Sequence, residues 1–121
     1  MSADGTQHEP LDRSYLADVT EGDTEFEEEL AQSYIDASSE VMSTLRSAVQ
    51  EADPQAVREA AHALKGSSRA IGADGMGAAA EILEHRGRDG DLTNVESLLE
   101  DAEQHYNALI EYMRTAWPRA K

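Results

Sequence analysis

The chain has 121 residues, enough for one domain with its own core and no staples. Asp and Glu number 25 against 10 Lys and Arg, a formal charge of -15 at pH 7; such a surface repels phosphate backbones and anionic lipid, which argues against nucleic-acid and membrane partners. Cysteine is absent, so disulfides, thiolate metal sites and cysteine nucleophiles are excluded.

Residues 1 to about 10 are polar, end in Pro10 and read as a disordered tail. A short helix is expected from Leu11 to about Val19, with Tyr15 and Leu16 turned inward. Glu21-Gly22-Asp23 breaks it. Thr24-Glu25-Phe26-Glu27 then has the form of a capping box. Phe26, Leu30, Tyr34, Ala37, Val41, Leu45 and Ala48 follow at steps of three and four, which predicts one long helix to about Ala52. Asp53-Pro54 restarts the helical pattern at once, as N-cap and first helical residue. This third helix carries Val57, Ala60, Leu64, Ser68 and Ile71 on one stripe, and Gly72 suits its left-handed end. Asp74 is expected to cap a fourth helix holding Met76, Ala79, Ala80 and Leu83, ending near Arg86 to Arg88. Thr93-Asn94-Val95-Glu96 resembles a second capping box, opening a fifth helix that Pro118 stops after Trp117.

No segment alternates as a strand does. Short connections make neighbouring helices antiparallel. The expected fold is all-α: an up-down-up-down four-helix bundle over residues 11–117, a short extra N-terminal helix, and a C-terminal tail at 118–121. No apolar run reaches the roughly 18 residues of a membrane span. The start of the chain lacks the basic head and apolar stretch of a signal peptide, so a cytoplasmic location is expected.

The chemistry centres on one of four histidines. His8 lies in the tail. His105 reads as a boundary residue and His85, opposite Leu83 and Met76, as solvated. His62 points away from Leu64 and Ile71, the core stripe of its own helix. Its face carries Gln55, Arg58, Glu59, Lys65, Gly66 and Arg69, a basic island on an acidic protein. Glycine inside a helix costs about 1 kcal/mol against Ala. A side chain at 66 would lean back over His62, so Gly66 uncovers the ring; a close helix crossing at Gly66 is the alternative.

An exposed imidazole among cations suits nucleophilic attack on phosphorus. The neutral ring is the nucleophile, and nearby positive charge favours that neutral form. The same cations would neutralise the transferred phosphoryl oxygens, with Lys65 best placed and Arg58, Arg69 and Ser67 in support.

The stretch Ala61-His62-Ala63-Leu64-Lys65-Gly66-Ser67-Ser68, followed by Ile71-Gly72-Ala73, resembles the signature of histidine-containing phosphotransfer (HPt) domains. Gly22-Asp23 with Phe26 and Leu30, and Gly90-Asp91-Leu92, are similar to the approaches to that family's second and last helices, so residues 11 to 116 are alike in layout. The resemblance implies a four-helix-bundle phosphocarrier of multistep two-component signalling. His62 would take a phosphoryl group from an aspartyl phosphate on a receiver domain and pass it to the aspartate of another, through Nε2. Lys65 would hold the phosphate and Gly66 would give access. The receivers would belong to a hybrid histidine kinase or to response regulators and would supply the Mg²⁺, so no intrinsic cofactor, metal site or autonomous kinase activity is expected.

Small residues flank His62 on helix three: Ala56, Ala63, Ser67 and Ala70. They are expected to let a partner helix lie close, the other reading being packing inside the bundle. A monomer suits a carrier that must expose this face. Two rival functions stay open. Glu59-Ala60-Ala61-His62 is one Glu-x-x-His, but a di-metal bundle needs two, with further glutamates, all facing inward. A non-catalytic acidic adaptor is the other.

Overall fold

The computed structural model describes residues 9–120. Among these residues five helices follow one another: α1 (Arg13–Thr20), α2 (Thr24–Gln50), α3 (Pro54–Ala70), α4 (Asp74–Asp89) and α5 (Val95–Ala116). There is no strand among the described residues. Helices α2 to α5 form a ring in which each packs on its two neighbours, α2 closing against α5, and α1 lies on α2. The fold is therefore the expected four-helix bundle with a short extra helix. Its core is aliphatic and sulfur-rich: Met42, Leu45, Leu64, Leu83, Leu109 and Met113 are fully buried. No helix among the described residues is long and apolar enough to cross a membrane.

The helix starts show where local pattern yields to tertiary contact. Asp53 accepts a hydrogen bond from the Ala56 N–H, with Pro54 in the first turn as expected. Helix α2 is capped by Asp23, not Thr24; the Asp23 carboxylate accepts from the Phe26 N–H at 3.1 Å. Glu27, expected to complete a capping box, is buried and turned toward α1. Its carboxylate meets Arg13 at 3.6 Å and the Thr20 hydroxyl at 3.4 Å. The second capping box is also absent: Asn94, left-handed at φ 60°, caps α5 without a side-chain bond. The Thr93 N–H instead bonds the carboxylate of Asp91. Asp74 lies inside α4, whose cap is Ala73.

The expected stripe on α2 holds at Tyr34, Leu45 and Ala48, which are buried, and at Leu30 and Val41, half-buried against the core, but it does not describe the whole helix. Phe26 and Ala37 are exposed, while Glu27, Ala31, Ile35, Ser38 and Met42 are buried. A long helix touching α1, α3 and α5 turns several faces inward, so one stripe of steps three and four does not describe it. The helix ends at Gln50, and Ala52 takes a positive φ in the turn to α3. At the other end of α3, Gly72 is left-handed at φ 83°, as expected. Tyr15, expected to face inward, is 42% exposed and lies across Gly72, where an added Cβ would stand 2.9 Å from the Tyr15 ring.

The first helix begins at Arg13, and Leu11 is buried ahead of it. The Asp12 N–H reaches the carbonyl of Gly72, which ties α1 to the end of α3. Beyond α5, the segment set apart as a C-terminal tail folds back. Trp117 and Ala120 are buried, and Arg119 pairs with Glu28 at 2.8 Å. The Arg13 guanidinium lies over the Trp117 ring, 4.5 Å from its centroid, which joins the two ends of the domain. The expected disordered tail at 1–10 falls mostly outside the described residues.

Candidate functional site

Helices α3 and α4 pack on each other more extensively than any other pair in the bundle, and glycine allows it. A Cβ on Gly87 would stand 2.6 Å from the Arg58 backbone nitrogen and 2.7 Å from the Pro54 carbonyl oxygen. A Cβ on Gly77 would meet the Arg69 stem at 2.7 Å. With those glycines and the buried Ala80, α4 can lie directly along α3. Its carboxylates then reach the face that carries His62.

His62 projects to solvent with 69% of its side chain exposed. Its Nδ1 stands 2.8 Å from Oε2 of Glu84 on α4. A carboxylate only accepts, so the neutral ring donates Nδ1–H to it. That fixes the tautomer and leaves the lone pair on Nε2. Glu84 is buried at the seam, and its second oxygen, Oε1, lies 2.6 Å from the Lys65 ammonium. The Lys65 ammonium against it holds the Glu84 carboxyl below the usual carboxylate range; burial opposes this, and the hydrogen bond to His62 adds to it. One buried carboxylate thus holds both a ring nitrogen and a lysine.

Lys65 is the residue expected to hold the phosphate. It is paired, with its side chain only 22% exposed. Arg69 is paired as well: it bonds Glu81 at 2.9 Å, and it is the main cause of the lowered Glu81 carboxyl. Arg58 is exposed and has no ion pair or side-chain hydrogen bond among the described residues.

Gly66 has nothing within 4 Å of the place its Cβ would occupy. No helix crosses there, so packing does not call for this glycine, and the space beside the ring is open. Ala63, Ser67 and Ala70 are exposed, and the Ser67 hydroxyl bonds back to the Leu64 carbonyl. Ala56 is half-buried against the core.

The remaining candidates stand apart. His85 is half-exposed, 3.9 Å from Glu81. His105 is exposed on α5, beside Gly75. His8 lies outside the described residues. Glu59, of the Glu-x-x-His pattern, accepts a hydrogen bond from Gln55. Among the described residues no three His, Cys, Asp or Glu side chains gather as metal ligands do.

The residue that sequence reasoning missed is Glu84. A usable signal was present: Gly77, Ala80, Glu84 and Gly87 fall in one row at steps of three and four. Three of the four are small, as a helix seam requires. An acid in such a row has to find a partner across it.

An exposed, tautomer-locked imidazole on a helical bundle is suited to group transfer with another macromolecule. A family model for the Hpt domain matches residues 29–116. The fold superimposes on the crystal structure of histidine-containing phosphotransfer protein B from Pseudomonas aeruginosa PAO1 with a TM-score of 0.85 and 27% identity. The match covers 94% of this chain and 99% of that one. A sequence comparison with curated proteins gives no match. The chain belongs to the Hpt domain family, the histidine-containing phosphotransfer domains of two-component phosphorelays.

Proposed function

We propose that this domain carries a phosphoryl group on Nε2 of His62 between aspartates of two receiver domains. The observation that carries the proposal is the 2.8 Å contact between His62 Nδ1 and Glu84, on a ring that is 69% exposed. Nε2 is then both a lone-pair nucleophile and the nitrogen turned to a partner. Its lone pair attacks the phosphorus of an aspartyl phosphate; the N–P bond forms, the P–O bond breaks and the aspartate leaves as a carboxylate. The ring becomes a cation, which the Glu84 carboxylate stabilises through Nδ1–H. The reverse step returns the group to a second aspartate.

Lys65 acts in this scheme from its place against Glu84, close to the ring on the same helical face, and Gly66 leaves the ring open to approach. Mg²⁺ belongs to the receiver. The partners proposed are the receiver domains of a hybrid kinase or of response regulators, met in the cytoplasm by a monomer. Incubation with a ³²P-labelled phospho-receiver tests the reading. The label should move to this chain, be lost in acid, survive base and be absent from His62→Gln. Failure of every receiver domain tried to label His62 overturns it.

A further inference from the structure

The row of α4 that faces His62 repeats every three residues: Glu81, Glu84, Gly87. The first two meet cations of α3 in register, Glu81 with Arg69 at 2.9 Å and Glu84 with Lys65 at 2.6 Å. Two turns before Lys65 on α3 stands another cation, Arg58, and the α4 residue against its backbone is Gly87. No carboxylate can stand there, because even a Cβ at 87 would come within 2.6 to 2.9 Å of the backbone of Pro54 and Arg58. The next residue of α4, Arg88, is itself a cation, exposed and paired with the adjacent Asp89 at 3.8 Å.

Arg58 is the one arginine or lysine among the described residues whose side chain makes no hydrogen bond or ion pair. That is unusual on a chain with 25 acids and 10 basic residues. It also lies one helical turn before His62, on the same face. Residue 62 leans toward the N-terminus of α3, hence toward Arg58. Among the described residues, an unpaired positive charge thus lies on the face of α3 that carries the reacting ring, one helical turn away along the backbone.

We infer that Arg58 is the anchor for a carboxylate on the receiver domain, bound beside the aspartate that exchanges the phosphoryl group, and that it sets how tightly a receiver docks. The inference rests on the phosphotransfer reading above. Arg58 is a positioning residue: its charge is spent on the encounter, and the chemistry stays with His62. A rim charge of this kind acts on association and on its salt dependence.

The test uses the full chain and the phosphorylated receiver domain that labels His62 fastest. Initial rates are measured against receiver concentration for wild type, Arg58→Ala, Arg58→Gln, Arg58→Lys and Arg46→Ala, with circular dichroism to confirm the fold. Arg46 pairs with Glu103 on another face and serves as the control. Arg58→Ala and Arg58→Gln should raise KM about tenfold, the scale of a close charge pair across an interface, with kcat changed less than about twofold. Arg58→Lys should recover most of the loss. The wild-type KM should climb with salt more steeply than that of either neutral variant. A KM within about twofold of wild type, with the same salt slope, overturns the inference while leaving the carrier intact. A loss confined to kcat overturns it equally. Absence of any label on wild-type His62 ends both.

Discussion

Oε2 of Glu84 stands 2.8 Å from Nδ1 of His62, and Oε1 of the same carboxylate stands 2.6 Å from Nζ of Lys65. Two residues one turn apart on α3 are held by one side chain of α4. Removing that side chain releases both. Glu84→Ala should slow transfer to and from His62 by about ten- to a hundredfold, the worth of one hydrogen bond to a charged group. Glu84→Gln should lose less, because the amide oxygen still accepts from Nδ1–H. Quench-flow transfer rates with a phospho-receiver check this. Equal rates in all three proteins would remove Glu84 from the site.

The lowered carboxyl of Glu84 also makes a statement about stability. Its folded-state pKa lies below the ordinary 4.5, so the unfolded chain binds the proton more readily. The stabilisation is fully present above pH 4.5 and is lost as pH falls through the lowered folded value. Urea unfolding of wild type and Glu84→Gln from pH 7 to pH 3 should show a gap that is constant above about pH 5 and closes below it. A gap that persists unchanged to pH 3 would mean that Lys65 does not hold the charge in place.

The ring's exposure and Gly66 were legible in the sequence because both follow from angles along one helix. Steps of about 100° place His62 opposite Leu64 whatever α3 packs on. Glu84 and the pairing of Lys65 were not, since they depend on the register of α4 against α3, which Gly77 and Gly87 set through contact. The four-helix order followed from apolar spacing and short turns. The helix starts did not: Glu27 satisfies the capping pattern with Thr24, yet burial against Arg13 and Thr20 claims it. A cap is worth about 1 kcal/mol, and tertiary contact overrides it.

Ala63 lies beside His62 on α3 and is exposed. A large side chain there meets solvent in the free domain and a partner in the complex. Ala63→Trp should therefore unfold within about 0.5 kcal/mol of wild type, as surface changes do, and transfer at least several-fold more slowly. Chemical denaturation and transfer kinetics on the same preparation separate the two effects. Unchanged kinetics would take Ala63 out of the docking surface.

Tyr34 and Ser68 join α2 to α3 beneath the site, hydroxyl to hydroxyl at 2.8 Å in the buried core. Burial pushes the Tyr34 phenol up to about 12, with the Ser68 bond opposing. Tyr34→Phe removes one partner and leaves the Ser68 hydroxyl unpaired, which costs about 1–3 kcal/mol. The variant should melt lower, and the ultraviolet titration of the folded protein should lose its latest tyrosine step. If that step survives in Tyr34→Phe, another tyrosine carries it.

Gly66 and Gly87 lie on facing helices of one site, and the same substitution should drive them in opposite directions. A Cβ at 66 enters open space, so Gly66→Ala should gain about 0.5–1 kcal/mol of helix stability. A Cβ at 87 would press on the backbone of α3 at 2.6 Å, so Gly87→Ala should lose about 1–3 kcal/mol as the helices separate. Transfer should fall in both, for different reasons. At 66 the new methyl stands where a partner must come, and the loss appears with the fold intact. At 87 the seam opens, and Glu84 no longer reaches His62. Thermal unfolding and transfer rates of the two variants distinguish these cases. A destabilised Gly66→Ala would show that the space beside the ring is not free, and a fast one would show that no partner uses it.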